Sequence, residues 1–452
     1  MRRFKIVLIV LLGVIMIALC AFIGIGISTG RGFWIGFGIH GGINVESIDV
    51  GSIDVGRMGT GDFSLGDVDD VGDMDDMQDV GSQGTKYFTW NRHYNLVLEK
   101  EIPAEDIRSL KINYGMNSND VLFYQGDGED ILVREYMNCT PEKGQISTVE
   151  QNGTELEVRG ARRNFFSFFS IGSRDAYTEI YLPDDLAGNL ENVNVKTVSG
   201  SVLSQIPLAQ TGTFHVTTTS GDVFFPGVRA KKTESSSTSG DIRLAYVVTD
   251  KAELSTTSGD IMLDQASGEA VISSTSGEVR TQALVGRVRV TTTSGDISLG
   301  QVKGDMNIST TSGDVRLQKG QGDLDASSTS GDIRADSLDG AFSLDTTSGP
   351  LSIAEGSGFG KAGSVSGDIR IFLADLQGGL DISTTSGDVS LQLPETASLS
   401  LHFGSTSGEC RTFFDEELSF NKKGNKADGQ HGGGEHSIDV STVSGDLSIR
   451  EE

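Results

Sequence analysis

The residues with the clearest capacity for chemistry form a repeated acidic column. A Ser-Gly dipeptide preceded by Thr or Val has its Gly at 200, 221, 240, 259, 277, 295, 313, 331, 349, 367, 387, 408 and 445, and the next residue is Asp nine times and Glu twice. Like charges stacked at one position of a repeat repel unless something offsets them. One chemistry is calcium binding, in the manner of a β-roll. The calcium nonapeptide, however, needs Gly, Gly and Asp spaced around each turn, whereas here Asp follows Gly directly. The residues that would hold such an ion are Asp296, Asp314 and Asp332, on consecutive repeats. The other chemistry is structural: Asp accepts backbone N–H groups in a turn, and an Arg column beside it (Arg243, Arg280, Arg316, Arg334, Arg370, Arg411) neutralises part of the charge.

Other motifs are weaker. GISTG (Gly26 to Gly30) formally matches a hydrolase elbow and HGGG (His431 to Gly434) an oxyanion loop, but the elbow needs a strand-to-helix turn, and GISTG follows a long apolar run instead. His431 and His436 bracket Glu435 in a Gly-rich insertion, NKKGNKADGQHGGGEH, that could hold a transition metal loosely. A third fixed ligand is not evident, so a surface loop is expected. LPET (Leu393 to Thr396) resembles a wall-sorting signal but is followed by strand-like sequence, so it reads as a strand end. The acid and Arg columns run uniformly, with no local deviation of the kind a polysaccharide-cleaving β-helix would show. No catalytic residue or cofactor is assigned, and no enzyme activity is expected; calcium is the ion under consideration for the acid column.

The elements that must position these residues follow from the repeat. Its spacing is 18 residues six times running and 19 to 21 elsewhere between Gly200 and Gly408. Two and four residues after each Gly lie apolar columns, such as Ile297/Leu299 and Val315/Leu317, while the residues between are polar. That is the period of a strand with one buried face. A second Gly follows about nine residues on (268, 286, 304, 322, 340, 358), with inward pairs Val288/Val290, Met306/Ile308 and Phe342/Leu344. One unit cannot bury two strands alone, whereas stacked units pair every backbone group with the coils above and below. The expected fold is an all-β solenoid (β-helix) of about 18-residue coils. About a dozen coils at roughly 4.8 Å each make a rod on the order of 60 Å. Gly occupies the corners because a turn needs positive φ or has no room for Cβ. The Thr/Ser column three residues before the Gly is expected to form a hydroxyl ladder.

Composition is organised by segment. The 452 residues carry a net charge of -27: residues 1–42 hold +4, 43–84 hold -10, 85–200 hold -6 and 201–452 hold -15. Such acidity opposes nucleic-acid binding. Three cysteines exclude a disulfide scaffold. Cys139 and Cys410 are expected at opposite ends of the rod, too far apart to pair. Residues 6–28 read as one N-terminal transmembrane helix, since 22 residues from Ile6 to Ile27 lack a charge and would span about 33 Å. Arg2, Arg3 and Lys5 leave residues 1–5 as a cytoplasmic tail and place the remainder outside, on a single-pass cell-membrane protein. A cleaved signal peptide is the competing reading, although this run exceeds the usual h-region. Residues 29–84 form a Gly-rich, then acidic, disordered tether.

The TSGDI/TSGDV phrases, the preceding EIYLPDDL (Glu179 to Leu186), and the closing SLQLPETASLSLHFGSTSGEC and IDVSTVSGDLSI together resemble the LiaG-like "putative adhesin" domain, over about residues 95–452. The resemblance implies a membrane-anchored bacterial envelope β-solenoid, sometimes linked to envelope stress, with no established catalytic residues. On that basis residues 85–198 are a strand-rich first part and cap, 199–408 the TSGD-repeat solenoid, and 409–452 the last coils and cap. The Phe-rich loop RRNFFSFFSIGSR (Arg162 to Arg174) is either an aromatic contact patch or a plug over the coil stack. The expected function is a non-enzymatic, membrane-tethered adhesin or envelope-interaction rod. Its expected partners are the membrane and cell-wall, surface or envelope components. The alternatives are a calcium-dependent binding rod and a carbohydrate-active β-helix enzyme.

Overall fold

The computed structural model describes residues 94–115, 119–142, 144–161 and 175–451. The membrane segment, the tether, GISTG and the Phe-rich loop lie outside the described residues. Among the described residues no helix is long and apolar enough to cross a membrane.

The apolar columns build the fold. Ile242, Ile261, Val279, Ile297, Val315, Ile333, Leu351, Ile369 and Val389 are all buried, as are the residues two positions beyond each. Equivalent residues of successive coils pair in parallel, Ile297 with Val279 on one side and Val315 on the other. A slip of one residue would turn the whole apolar set toward water, which fixes the register. The result is an all-β solenoid of about 11 turns of roughly 19 residues. The mean exceeds 18 because coils at either end are longer, and bulges absorb the change. The step from 19 to 18 residues is taken between Val248 and Lys251, and the step from 18 to 20 between Gly358 and Gly360. Two short strands per coil are seen as Val279–Val285 and Val288–Thr291, but Ile242–Ser255, Ile261–Ser273 and Ile333–Thr346 run through as single bent strands.

At both ends the coils do not stack in the order of the sequence, contrary to the linear progression expected. The first coil in the chain, Ser109–Asn113 with Asn119–Gln125, lies between the strands Glu155–Arg159 and Ala176–Leu182 on one side and Asn192–Lys196 and Val202–Ser204 on the other. The last coil, His436–Ser441 with Leu447–Glu451, inserts between Asp375–Thr384/Val389–Leu393 and Leu399–Gly404/Cys410–Thr412. A terminal segment paired on both sides is tied down, whereas one left outermost would present an open edge. Antiparallel strands then cover the edges. Asp130–Met137 pairs with Ala176–Leu182 and with Asn95–Pro103, and Thr148–Asn152 pairs with Glu155–Arg159. The Gly-rich insertion is therefore not a loop: Lys426–His431 is a strand paired with Leu399–Gly404 and Leu418–Phe420. LPET is a strand end, as expected, the strand Val389–Leu393 stopping before Pro394.

Glycine does two different jobs at the corners. The second-corner glycines, from Gly268 (φ +119°) to Gly358 (φ +158°), occupy backbone that L side chains rarely adopt. The Ser-Gly glycines have no such φ; there the reason is space. A Cβ on any of them from Gly221 to Gly387 would lie 1.7–2.1 Å from the carbonyl oxygen of the corner glycine in the preceding coil. The stack continues Gly387, Gly445, Gly408, tracing the inserted last coil. The Thr/Ser column three residues earlier does not form a hydroxyl-to-hydroxyl ladder. Each hydroxyl accepts the N–H of its own corner glycine, as at Gly313–Thr310 (3.1 Å) and Gly331–Ser328 (2.8 Å). Several also donate to the glycine carbonyl of the coil beneath, as Thr256 does to Gly240 (3.3 Å).

Gly313→Ala is expected to lower unfolding stability by about 3 kcal/mol or more, because backbone rather than a flexible side chain blocks its Cβ. Gly404→Ala, with nothing within 4 Å of its Cβ, is expected to be near neutral. Urea unfolding of the two variants measures the difference.

Candidate functional site

The acid column is a ladder of hydrogen bonds between coils. Oδ1 of one Asp accepts the backbone N–H of the acid in the next coil: Asp222 from Asp241 (2.9 Å), Asp241 from Asp260 (2.8 Å) and Asp260 from Glu278 (2.8 Å). Of the calcium candidates, Asp296 accepts from Asp314 (2.9 Å) and Asp314 from Asp332 (2.9 Å). The ladder resumes at Asp368 and runs through Asp388 and Asp446 to Glu409, in the spatial order of the coils. It lapses at Glu278, whose longer side chain turns to Arg280 (2.6 Å), and at Pro350, which has no N–H to give. Asp332 is the residue left facing that proline. Its pKa is raised by desolvation and by the Asp314 charge.

The Arg column pairs with this ladder only in part. Arg280, Arg370 and Arg411 reach the acids two residues earlier, Glu278, Asp368 and Glu409. Arg316 and Arg334 both turn instead to Asp336, off the ladder, and Arg243 lies 3.7 Å from Asp264. Among the described residues no group of three or more His, Cys, Asp or Glu converges to hold a metal ion. The three candidates stand one above another, and the carboxylates of Asp296 and Asp314 point along the stack to the next coil's N–H rather than around a common point.

The histidine motif is taken apart by the fold. His431 Nδ1 lies 3.0 Å from Glu417 Oε1 and Nε2 lies 3.0 Å from the Glu395 carbonyl, with the ring stacked on Phe414 at 4.8 Å. Burial works against its positive charge, but the Glu395 carbonyl and the Glu417 carboxylate outweigh that and raise its pKa. His436 opens the next strand in the chain, which lies on the other side of Leu399–Gly404. Cys139 and Cys410 are free and sit in opposite end regions, as expected. Burial pushes the Cys410 thiol up to about 12.

Two buried carboxylates of raised pKa, Glu135 and Glu179, were not singled out from the sequence. Glu135 follows Ile131 and Val133 on the inward column of its strand, and it accepts Asn119 Nδ2 (2.8 Å), Ser147 N–H (2.8 Å) and Ser147 Oγ (2.6 Å). Glu179, fully buried, takes the Tyr181 hydroxyl at 3.1 Å, and Arg134 sits 5.6 Å over that ring. Desolvation raises both pKa values. An acid at an inward strand position was the available signal. Both accept hydrogen bonds from neighbouring side chains, and Glu179 Oε1 is buried without one.

An open concavity lies on the face that follows the second glycine. It is a groove of about 550 Å³ across four coils, edged by Arg287 and Arg289 and floored by Asp305, Asn307, Asp323, Asp325, Ala341 and Ser343. This face, unlike the acid and Arg columns, changes from coil to coil: in successive coils two cations give way to acids and then to small side chains.

The match to known families can be set against this geometry. The model of the Toastrack DUF4097 family matches residues 107–303, 281–339 and 305–450. The chain belongs to that family. No curated protein matches the chain. Among solved structures, a "putative cell adhesion protein" from Clostridium sporogenes is 10% identical with TM-score 0.15, covering 78% of this chain and 98% of that one. A "putative adhesin" from Parabacteroides distasonis is 14% identical with TM-score 0.27, covering 64% and 97%. A "putative lipid binding protein" from the same organism is 13% identical with TM-score 0.20, covering 67% and 97%. At such identities and scores the names of those proteins transfer nothing to this Toastrack chain.

The half-buried Asp120 begins the ladder and gives it a pH dependence. Its Oδ1 accepts the Ser201 N–H at 2.8 Å, while desolvation, outweighing that bond, and the Asp175 and Asp222 charges push its pKa up to about 7. A carboxyl raised in the folded state holds its proton there between about pH 4 and 7, where the unfolded chain has lost it. Its contribution to stability is therefore full below pH 4, falls as pH rises to about 7, and is flat above. Asp120→Asn keeps the acceptor without the charge. It is expected to be more stable than wild type by up to about 4 kcal/mol at pH 8 and to lack this decline, as measured by thermal melts from pH 4 to 8.

Proposed function

We propose that this Toastrack chain is a non-enzymatic rod held at the outside of a cell membrane by its N-terminal apolar segment, acting as an adhesin or envelope-interaction protein of the LiaG-like kind. The observation that carries the reading is how the repeated polar groups are used. The Thr/Ser hydroxyls and the Asp carboxylates, which would be the natural catalytic or metal-binding inventory, are bound to the backbone of their own or the neighbouring coil. What differs from coil to coil is the outward surface, the property expected of a scaffold that presents a face to a partner. The 22 uncharged residues after Arg2, Arg3 and Lys5, and the 11 acids of 43–84, supply an anchor and a spacer for that rod. The partners this reading favours are surface or envelope components, and neither calcium nor any other cofactor has a role in it.

The test is the side of the membrane on which the rod lies. Ser312 is an exposed corner residue whose side chain makes no hydrogen bond, so Ser312→Cys places a thiol on the rod without disturbing the stack. On intact cells a membrane-impermeant maleimide is expected to label this variant above the unsubstituted chain. Labelling only after permeabilisation would overturn the topology.

A further inference from the structure

The groove face is self-complementary in both charge and shape. Along the stack, Arg287 and Arg289 occupy one coil, Asp305 and Asn307 the next, and Asp323 and Asp325 the one after, each set in register with the next. Several other charges on this face pair within the chain: Lys232 and Lys251 with Glu253, and Lys361 with Asp381. Among the described residues, Arg289, Asp323 and Asp325 enter no ion pair. Arg287 reaches Asp305 only at 4.0 Å, both side chains being largely exposed. Asp323 accepts the Ala341 N–H and Asp325 the Asn307 amide, which aims the carboxylates without neutralising them. Two long cations thus form a ridge, and two coils further on lies a hollow floored by two acids, Ala341 and Ser343.

We infer that this face pairs with a second copy of the chain, the two rods antiparallel about a two-fold axis through the Asp305/Asn307 coil. The Arg287/Arg289 ridge of each copy then fills the Asp323/Asp325 hollow of the other. A two-fold along the strand direction maps the coil before the axis onto the coil after it, so both ridges meet both hollows at once, as an isologous interface requires. Glu269 and Val271 of one copy then lie over Ala341 and Ser343 of the other. Seven coils at about 4.8 Å and five strand residues at about 3.3 Å cover about 560 Å² per copy, the size of a weak, specific contact. As a mode of adhesion this rests on the reading above and names its partner, since antiparallel rods carry their N-terminal ends apart and so would bridge two facing surfaces. The pairing itself is measurable on purified chain, whichever side of a membrane the rod occupies.

The test is a charge swap on the full chain in detergent micelles, followed by light scattering across a concentration series. Wild type is expected to self-associate, less so at high salt. Arg287→Glu with Arg289→Glu sets acids against acids, and Asp323→Arg with Asp325→Arg sets cations against cations. Each double variant alone is expected to associate at least about tenfold more weakly. An equimolar mixture of the two restores opposite charges at both contacts and should recover association to near the wild-type level, which a misfolded variant would not do. A monomeric wild type, variants that associate like wild type, or a mixture no better than its components would each overturn the inference. So would a monomeric chain that instead binds an oligosaccharide in this groove.

Discussion

One steric fact governs this molecule: at each Ser-Gly corner the carbonyl oxygen of the coil below occupies the place where a side chain would begin. Glycine is required there by contact, not by backbone dihedral, and the contact recurs from Gly200 to the inserted terminal coil. Coils so closely stacked bring one corner's hydroxyl within reach of its neighbour's carbonyl, and one carboxylate within reach of the next N–H. The Thr clamp and the Asp ladder are thus consequences of the corner, and they satisfy the backbone groups that a sharp turn takes out of the strand ladder. The apolar columns behind each corner supply the burial, but the corner sets the register in which they meet.

That arrangement has a cost. A file of ionisable acids spaced by one coil repels itself, and the fold offsets this unevenly: by N–H donors along most of the ladder, by Arg at Glu278, Asp368 and Glu409, and by little at Asp332, which faces a proline. Net acidity is therefore partly a by-product of how the coils are held. Among the charges left to act outward are Arg289, Asp323 and Asp325, on the face that follows the second glycine.

The fold class, the inward columns and the strand end at Leu393 could be read from the sequence, because the repeat makes each copy vote on the same alternation of faces. The stacking order at the ends could not. Inserting Leu447–Glu451 between Val389–Leu393 and Cys410–Thr412 is a long-range choice that local alternation does not encode; its trace was the 37-residue gap between Gly408 and Gly445. The insertion at 421–436 reads as a loop by composition, yet pairing along Leu399–Gly404 makes Lys426–His431 a strand. The role of Thr256 and its equivalents was missed because a hydroxyl column looks the same whether its members bond to one another or to the backbone. Of the candidate site, the acid column was legible as residues, but its partners were not, since a carboxylate bonded to the next coil's N–H and one waiting for a cation have the same sequence.

The claim on which the rest depends is that the Ser-Gly-Asp corners are built into the stack rather than left as solvated turns. Residue-resolved amide hydrogen exchange on the purified chain tests it directly, since those N–H groups are bonded to side chains, Gly313 to Thr310 and Asp314 to Asp296. The amides of Gly295, Gly313, Gly331, Asp314 and Asp332 are expected to exchange as slowly as those of the flanking strands, opening only with the global unfolding of the stack. Corner amides that exchange at the rate of free turns while the strands stay protected would contradict the account.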